Sequence, residues 1–400
     1  MASVDKFDND FKISFKIILA LTLIHAIGDF FSSFIKPLLP LFAKNLSLSL
    51  TQIGFIAPLT GVLSFVIQPS TGYFADRYKT RVFLIGAPLL TIIFIPLTGI
   101  ASSFYILLCF IGLGAMGSAM YHPATAGAVG KAAGKNISFA MSFYITGGTL
   151  AFGLGPIFIS YYVTYLKLSL MPLCMILGLV VMLLILKYIP QPEPQNTAGL
   201  NFWDSLKDSF GSVWKLIVLL WAIMVFRSFI GQSLNTYLPF YYDHLGYSQI
   251  ALGYIIALIE IGGAMSGLFC GYLAGRSKSY KPLFYITHLI SVPVLLLQLH
   301  VSGVWIYCNA FFSGFFIMAT MPLGVAWAQQ MAPKGRAMVS SLMMGLAWGV
   351  GSLLVPLTGK LGDIFDLKKA LTIVAFIPLL TLILIYYLPN KKVSDNHIES

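Results

Sequence analysis

Charged side chains are scarce in this 400-residue chain: Asp, Glu, Lys and Arg make up 10% of it, and hydrophobic residues make up 58%. A soluble globular domain carries roughly 25% charged residues. Water therefore cannot be the main solvent of this protein. Apolar stretches follow one another with short polar segments between them, which leaves no room for a separate soluble domain. No nucleophile and base stand at a catalytic spacing either, and we expect no enzymatic activity.

Cysteine is also scarce, and its distribution excludes two kinds of site. The chain has Cys109, Cys174, Cys270 and Cys308, all inside apolar stretches and none in a C-x-x-C spacing. Such a pattern predicts neither a disulfide framework nor a metal site.

Long apolar stretches are abundant instead. Crossing about 30 Å of hydrocarbon takes about 20 helical residues, and backbone groups in lipid must be hydrogen-bonded within the segment. The segments are too long for barrel strands, so the fold class we predict is an all-α polytopic membrane protein. We count twelve spans, at about 15–43, 49–75, 81–100, 104–130, 137–163, 168–189, 213–242, 249–275, 282–300, 303–331, 337–360 and 368–389.

The net charge of +11 reflects membrane topology. Of the 25 Lys and Arg residues, 18 fall in the tails and loops of one side, five on the opposite side and two within spans. The positive-inside rule then places both termini in the cytoplasm. Nucleic acid is not needed to explain the basic composition.

Ten residues of the first half return in the second half. Gly72-Tyr-Phe-Ala-Asp-Arg-Tyr-Lys-Thr-Arg81 is followed 199 positions later by Gly271-Tyr-Leu-Ala-Gly-Arg-Ser-Lys-Ser-Tyr280. Such a repeat indicates a duplicated bundle, and in membrane proteins it places the working site between the repeats.

The repeat sets the predicted domain organisation. We expect an N-terminal six-helix bundle at 1–189 and a C-terminal six-helix bundle with a short tail at 213–400. Residues 190–212 form a cytoplasmic linker, whose Pro-rich first part cannot be helical and whose second part has an amphipathic helical spacing.

Ionisable residues inside spans are costly and usually face a cavity. Span 1 carries His25, Asp29, Ser32 and Lys36, which share one stripe of a helix. We expect Asp29 and His25 to bind a proton, or alternatively to hold spans together through a fixed hydrogen bond. Lys36 either contacts substrate or extends to the membrane surface.

Span 7 carries the other buried charge, Arg227, one residue from the position that matches Asp29 in the repeat. Arg227 either neutralises Asp29 or binds an anionic group of the substrate. Glu260 in span 8 is a second candidate proton carrier, or the partner of a basic group. Further candidates for substrate binding are His122, Gln232, Asn235, Trp327, Gln329 and Gln330.

The repeated cytoplasmic turn has a predicted gating role. Asp76 can meet a helix N-terminus or a basic group of the other half, and such a contact stabilises one of two conformations. The second copy has Gly275 at the matching position and is expected to be the weaker latch. The gating residues we predict are Gly72, Asp76, Arg77, Arg81 and Arg276.

The repeated turn in a twelve-span chain resembles the signature of the major facilitator superfamily. Several segments are similar to the fosmidomycin-resistance group within it: His25-x-x-x-Asp29, Gln68-Pro69, His122-Pro123, Ala328-Gln329-Gln330-x-x-Pro333 and Met338-Val339-Ser340. Ala124 and Gln330 stand where that group usually has acids, and Arg227 falls where it carries a basic residue.

The resemblance implies a secondary transporter that works by alternating access, most simply proton-coupled efflux of a small drug-like or anionic compound. The alternatives are a symporter or facilitator that imports an organic anion or sugar, and a membrane sensor without transport. We expect a monomer in the inner membrane that interacts with substrate, protons and lipid. The proton gradient is its energy source, with no cofactor.

Overall fold

The computed structural model describes residues 2–77, 81–133, 137–191, 213–276, 279–331 and 342–390. Within these ranges the chain is helical and contains no strand. Twelve helical segments are long and apolar enough to cross a membrane, which confirms the predicted fold class: Phe15–Leu46, Leu50–Gln68, Val82–Ile100, Phe104–Ala132, Phe143–Leu166, Leu168–Tyr188, Trp214–His244, Gln249–Cys270, Lys281–Gln298, Trp305–Met331, Leu342–Ile364 and Leu367–Tyr386. We number these spans 1 to 12.

Seven spans are continuous helices or nearly so. Their α-helical bounds are Val82–Leu97, Phe104–Ala132, Ile137–Leu166, Trp214–His244, Gln249–Arg276, Lys281–Gln298 and Leu367–Tyr386. Span 6 is an α-helix at Met175–Ile185 between two 3₁₀ segments, Leu168–Cys174 and Leu186–Tyr188.

The other four spans are interrupted. Span 1 is divided into Ala2–Ser32 and Ile35–Leu46, span 2 into Leu50–Gly54 and Ile56–Arg77, and span 10 into Trp305–Met318 and Thr320–Met331. Span 11 begins with a π-helical turn, Leu342–Leu346, and continues as Ala347–Leu353 and Val355–Ile364.

Proline accounts for these interruptions. A proline has no N–H to donate, and its ring collides with the carbonyl four residues earlier. Pro37, Pro58, Pro322 and Pro356 stand two to four residues after the breaks in spans 1, 2, 10 and 11. The break in span 1 means that the predicted stripe from His25 to Lys36 is not on one continuous helix.

The chain divides into two compact units. Unit 1 comprises residues 1–38 and 63–197, and unit 2 comprises residues 39–62 and 198–400. The C-terminal end of span 1 and the N-terminal part of span 2 thus belong with the second half of the sequence. Ala57 of span 2, for example, lies in a buried hydrophobic cluster with residues such as Leu234, Tyr237 and Val355.

Several helix neighbours in unit 1 recur in unit 2. Span 1 packs against spans 4, 5 and 6, and span 7 packs against spans 10, 11 and 12. Span 3 packs against spans 4 and 6, as span 9 does against spans 10 and 12. The 199-residue repeat therefore corresponds to a partly repeated packing arrangement.

Two predicted features lie outside the described residues. One is the linker, of which residues 192–212 are not described. The other is the gating turn, in which the surroundings of Gly72 and the side chains of Asp76, Arg77 and Arg276 are not described. Arg81 is described: it is exposed, and its carbonyl accepts the first hydrogen bonds of span 3 from the N–H groups of Leu84 and Ile85.

Candidate functional site

Asp29 lies inside unit 1, where two histidines hold its carboxyl group. His25 Nε2 is 3.1 Å from Oδ2, and His122 Nε2 is 3.1 Å from Oδ1. His25 stands one helical turn before Asp29 on span 1, and His122 comes from span 4. The side chains of Asp29 and His25 are 12% and 9% exposed, and that of His122 is 32% exposed.

A tyrosine completes the shell around the carboxylate. Tyr121 Oη donates to Asp29 Oδ1 at 2.9 Å and is fully buried. Its ring lies against Gly28, where a Cβ atom would collide with the phenol. Gly28 therefore lets span 4 approach closely enough for Tyr121 to reach the neighbouring carboxylate.

Both imidazoles are oriented through their other nitrogen. His25 Nδ1 is 3.1 Å from the carbonyl oxygen of Tyr144 in span 5, and His122 Nδ1 is 2.7 Å from the carbonyl oxygen of Ser118. A carbonyl oxygen only accepts hydrogen bonds, so Nδ1 carries the hydrogen in both rings. Each Nε2 is consequently left to face the carboxylate of Asp29.

Each imidazole also stacks on a tyrosine. The rings of His25 and Tyr144 are 4.2 Å apart between centroids, and those of Tyr121 and His122 are 4.5 Å apart. The electron-rich face of a tyrosine attracts a cation placed over it. This stacking holds both imidazole rings in place beside Asp29.

Span 5 is held close by a glycine and a hydroxyl pair. A Cβ atom at Gly148 would collide with the imidazole of His25. Thr125 Oγ1 and Tyr144 Oη, from spans 4 and 5, are 2.6 Å apart and share a hydrogen bond. The cluster therefore connects spans 1, 4 and 5.

His25, Asp29 and His122 each offer one ligand atom, and these atoms lie within 4.8 Å of one another. Among the described residues, this is the one group of His, Cys, Asp and Glu side chains compact enough to share a metal ion. Both nitrogen–oxygen contacts are 3.1 Å long, within the ordinary range of N–H···O hydrogen bonds.

Arg227, the buried charged residue of span 7, lies in unit 2, and its surroundings differ from those of Asp29. Arg227 is 3% exposed. Its Nη1 donates to the thioether sulfur of Met318 at 3.2 Å, and its Nε is buried without a hydrogen-bond partner. No acidic side chain within the described ranges forms an ion pair with this guanidinium. Its charge is therefore poorly compensated.

The polar residues that follow Arg227 on span 7 are partly bound to span 11. Gln232 Nε2 donates to Ser228 Oγ and to the carbonyl of Trp348, both at 3.0 Å. Asn235 is buried, and its Oδ1 has no hydrogen-bond partner. Gln232 is thus committed to packing, whereas Asn235 keeps a free acceptor.

Other candidates lie apart from these two centres. Lys36 Nζ is over the ring of Phe152, 4.8 Å from its centroid. Trp327 is fully buried in a hydrophobic cluster that includes Tyr280, and Gln330 Nε2 donates to Tyr280 Oη at 2.8 Å. Glu260 and Gln329 are both partly buried.

Sequence reasoning missed three members of the unit 1 cluster: Tyr121, Thr125 and Tyr144. Tyr121 directly precedes His122, but tyrosines are common where helices pack and give no signal of their own. Tyr144 lies four residues before Gly148, whose missing side chain was a clue to close approach.

These features define a class of protein. Twelve membrane spans in two similarly packed units, with buried ionisable groups inside the spans, are the architecture of a multi-pass membrane transporter. Residues 21–356 match the family model described as the Major Facilitator Superfamily. The chain belongs to that family, whose members are transporters.

Similar proteins agree with this assignment. The fosmidomycin resistance protein of Escherichia coli (strain K12) is 25% identical over 387 residues, which cover 96% of this chain and 95% of the relative. YfnC of Bacillus subtilis (strain 168), an uncharacterized MFS-type transporter, is 25% identical over 392 residues, with 94% of each chain covered.

Solved structures share the fold. A bacterial homolog of the human lysosomal transporter Spinster, inward-facing and unoccupied, has a TM-score of 0.78 at 16% identity and covers 94% of this chain and 96% of its own. A mutant of the nucleoside transporter NupG has a TM-score of 0.79 at 15% identity, with 92% and 99% covered.

Proposed function

We propose that this protein is a proton-coupled antiporter that exports a small organic anion or an anionic drug-like compound. The observation that carries the proposal is Asp29, a carboxylate buried in a span and bound by two imidazoles and a phenol. Burying such a group is expensive, and histidine is the side chain that ordinarily exchanges protons near neutral pH. In this proposal Asp29 and His25 bind the coupling proton.

Arg227 supports the choice of an anionic substrate. A guanidinium remains charged at any working pH and is stable in a buried position only when it is paired. Its Nε lacks a partner, and a thioether is a weak acceptor. A carboxylate or phosphonate on the substrate would supply the missing acceptors, and Asn235 on the same helix would accept from a donor group.

The alternative role of Arg227, neutralising Asp29, concerns residues of different units and stays a prediction. Glu260 likewise remains a candidate second proton carrier. Gating by the cytoplasmic turn, a monomeric state, an inner-membrane location and cytoplasmic termini also remain predictions. For the substrate, the name of the Escherichia coli relative suggests fosmidomycin as a first probe.

The test uses the purified protein in proteoliposomes that contain a pH-sensitive dye. With a pH gradient imposed, addition of fosmidomycin to one side should move protons toward that side, as antiport requires. Proton movement in the same direction as the compound would indicate a symporter instead. Other small phosphonates and carboxylates serve as further probes when fosmidomycin is inert.

Asp29→Asn is the decisive variant, because it keeps the size of the side chain and removes its charge. Substrate-dependent proton movement should fall to the level of empty liposomes, while exchange of labelled compound across the membrane continues. His288→Gln is a matched control, since His288 is equally buried but lies in unit 2. Normal proton coupling in Asp29→Asn would refute the assignment.

A further inference from the structure

The cluster around Asp29 contains more hydrogen-bond contacts than one proton can satisfy. The hydrogen on Nδ1 of each imidazole is already donated to a backbone carbonyl. The two contacts between Nε2 and the carboxylate oxygens, each 3.1 Å long, therefore need one further hydrogen each.

The number of protons does not depend on where they sit. Both imidazoles can be cationic beside an ionised carboxylate, or one imidazole can be cationic while the carboxyl is protonated and donates to the other. In either arrangement the cluster holds two protons more than its fully deprotonated form, and its net charge rises from minus one to plus one.

We propose that His25, Asp29 and His122 form a two-proton site, in which His122 carries the second proton and is the group that exchanges it. This rests on the proposed function, and it assigns His122 to proton binding and not to substrate. The side chain of His122 is 32% exposed, whereas those of His25 and Asp29 are nearly enclosed. His122 is thus the most accessible member of the cluster.

Loss of the proton from His122 would change the packing of spans. Without it, the lone pair of Nε2 faces the Oδ1 lone pairs at 3.1 Å, and two acceptors at that distance repel each other. His122 is on span 4 and Asp29 on span 1, so this repulsion weakens the link between the two helices. His25 and Asp29 both lie on span 1, so their contact does not link two helices. The contact between His25 Nδ1 and the carbonyl oxygen of Tyr144 in span 5 is unaffected.

The other ionisable side chains at the cluster are tyrosines. Tyr121 from span 4 donates to Asp29, and Tyr144 from span 5 stacks on His25. Spans 3 and 6 also pack on span 1, but within the described residues they bring no ionisable side chain into contact with the cluster. The two exchangeable protons therefore belong to the three named residues.

A direct count of protons tests the site without any substrate. The chain has six histidines, so nuclear magnetic resonance of ¹⁵N-labelled histidine and ¹³C-labelled aspartate is feasible in lipid nanodiscs. EDTA is present throughout, so that no metal ion takes the place of the protons. Signals are assigned with His25→Gln, His122→Gln and the control His288→Gln.

At mildly acidic pH the three residues should together carry two protons. His122→Gln, whose amide can still donate to Asp29, should leave one proton on the cluster. A count of one in the unmodified protein would overturn the proposal. So would two protons that both remain in His122→Gln.

Transport provides a second, separable measurement. With the membrane potential held at zero, one pH unit should support about 100-fold accumulation of fosmidomycin for two protons and about 10-fold for one. His122→Gln should move the protein from the first value to the second. Two bound protons without any coupled flux would leave the proton site intact and refute the proposed function. Accumulation of only about 10-fold in the unmodified protein would refute the two-proton coupling.

Discussion

Asp363 attaches residues of the first half of the sequence to the second half. Its carboxylate accepts three hydrogen bonds: from the N–H groups of Leu50 and Thr51, both at 3.0 Å, and from Thr51 Oγ1 at 2.6 Å. These donors form the start of span 2, whose first residues belong to unit 2. Any conformation in which residues 39–62 leave unit 2 must break all three bonds.

The expected size of this contribution follows from its setting. Asp363 is exposed, so each bond competes with water and contributes about 0.5–1 kcal/mol net. The three together amount to about 2 kcal/mol, which is about 30-fold in the equilibrium between the attached and detached arrangements. Asp363→Ala should favour the detached arrangement by that factor, and Thr51→Val by about threefold.

Cysteine labelling measures this equilibrium. Ala57 is buried in the unit 2 cluster, and Ala57→Cys is a small change that becomes reactive only when span 2 detaches. The background has the four native cysteines replaced. Labelling with a membrane-impermeant maleimide should then be about 30-fold faster when Asp363→Ala is added.

A nearby acid provides the control. Asp366 stands three residues later, and its carboxylate accepts the N–H of Lys369 at the start of span 12. Asp366→Ala removes one negative charge from the same region and should not change the labelling rate. Equal rates in the Asp363→Ala and Asp366→Ala backgrounds would refute the reasoning.

Three further predictions concern single residues. Gly148→Ala should push His25 out of position and destabilise the protein by about 1–3 kcal/mol in thermal unfolding. Gly127→Ala should be neutral, because the space around Gly127 is open. Equal effects of the two substitutions would contradict the packing argument. Arg227→Met should weaken anion binding about 10- to 100-fold in equilibrium binding assays. It should not lower the melting temperature, because it removes a buried charge that has no partner. Unchanged affinity would exclude a contact between Arg227 and the substrate. The N–H of Lys369 holds the pKa of the Asp366 carboxyl below its ordinary value, so this cap stabilises the fold above that value and is lost as the pH falls through the lowered pKa. Asp366→Ala should therefore destabilise the protein at neutral pH, and the difference from the unmodified protein should vanish in acid.

The number and class of the spans could be predicted because the thickness of the membrane fixes their length. The contact between His25 and Asp29 was also accessible, since residues four apart meet on a helix. The contact between Asp29 and His122 was not, because it depends on how span 4 packs against span 1. A sequence pattern within one helix contains no information on that packing.

The interruptions of the spans show a signal that the span count did not use. Each of the four broken spans has a proline shortly after the break, so their positions were readable in principle. Other prolines, such as Pro123 and Pro239, stand inside continuous helices. Whether a proline bends a helix or ends it depends on neighbouring helices, which the sequence alone does not specify.

The composition of unit 2 has a consequence for the order of synthesis. Residues 39–62 leave the ribosome long before spans 7 to 12, yet they belong to the core that those spans complete. During translation, residues 39–62 therefore remain without their packing partners until span 11 is inserted. If the gene were divided in the linker, the second fragment would lack part of its own interior, and the two fragments would need to be made together to recover a stable protein.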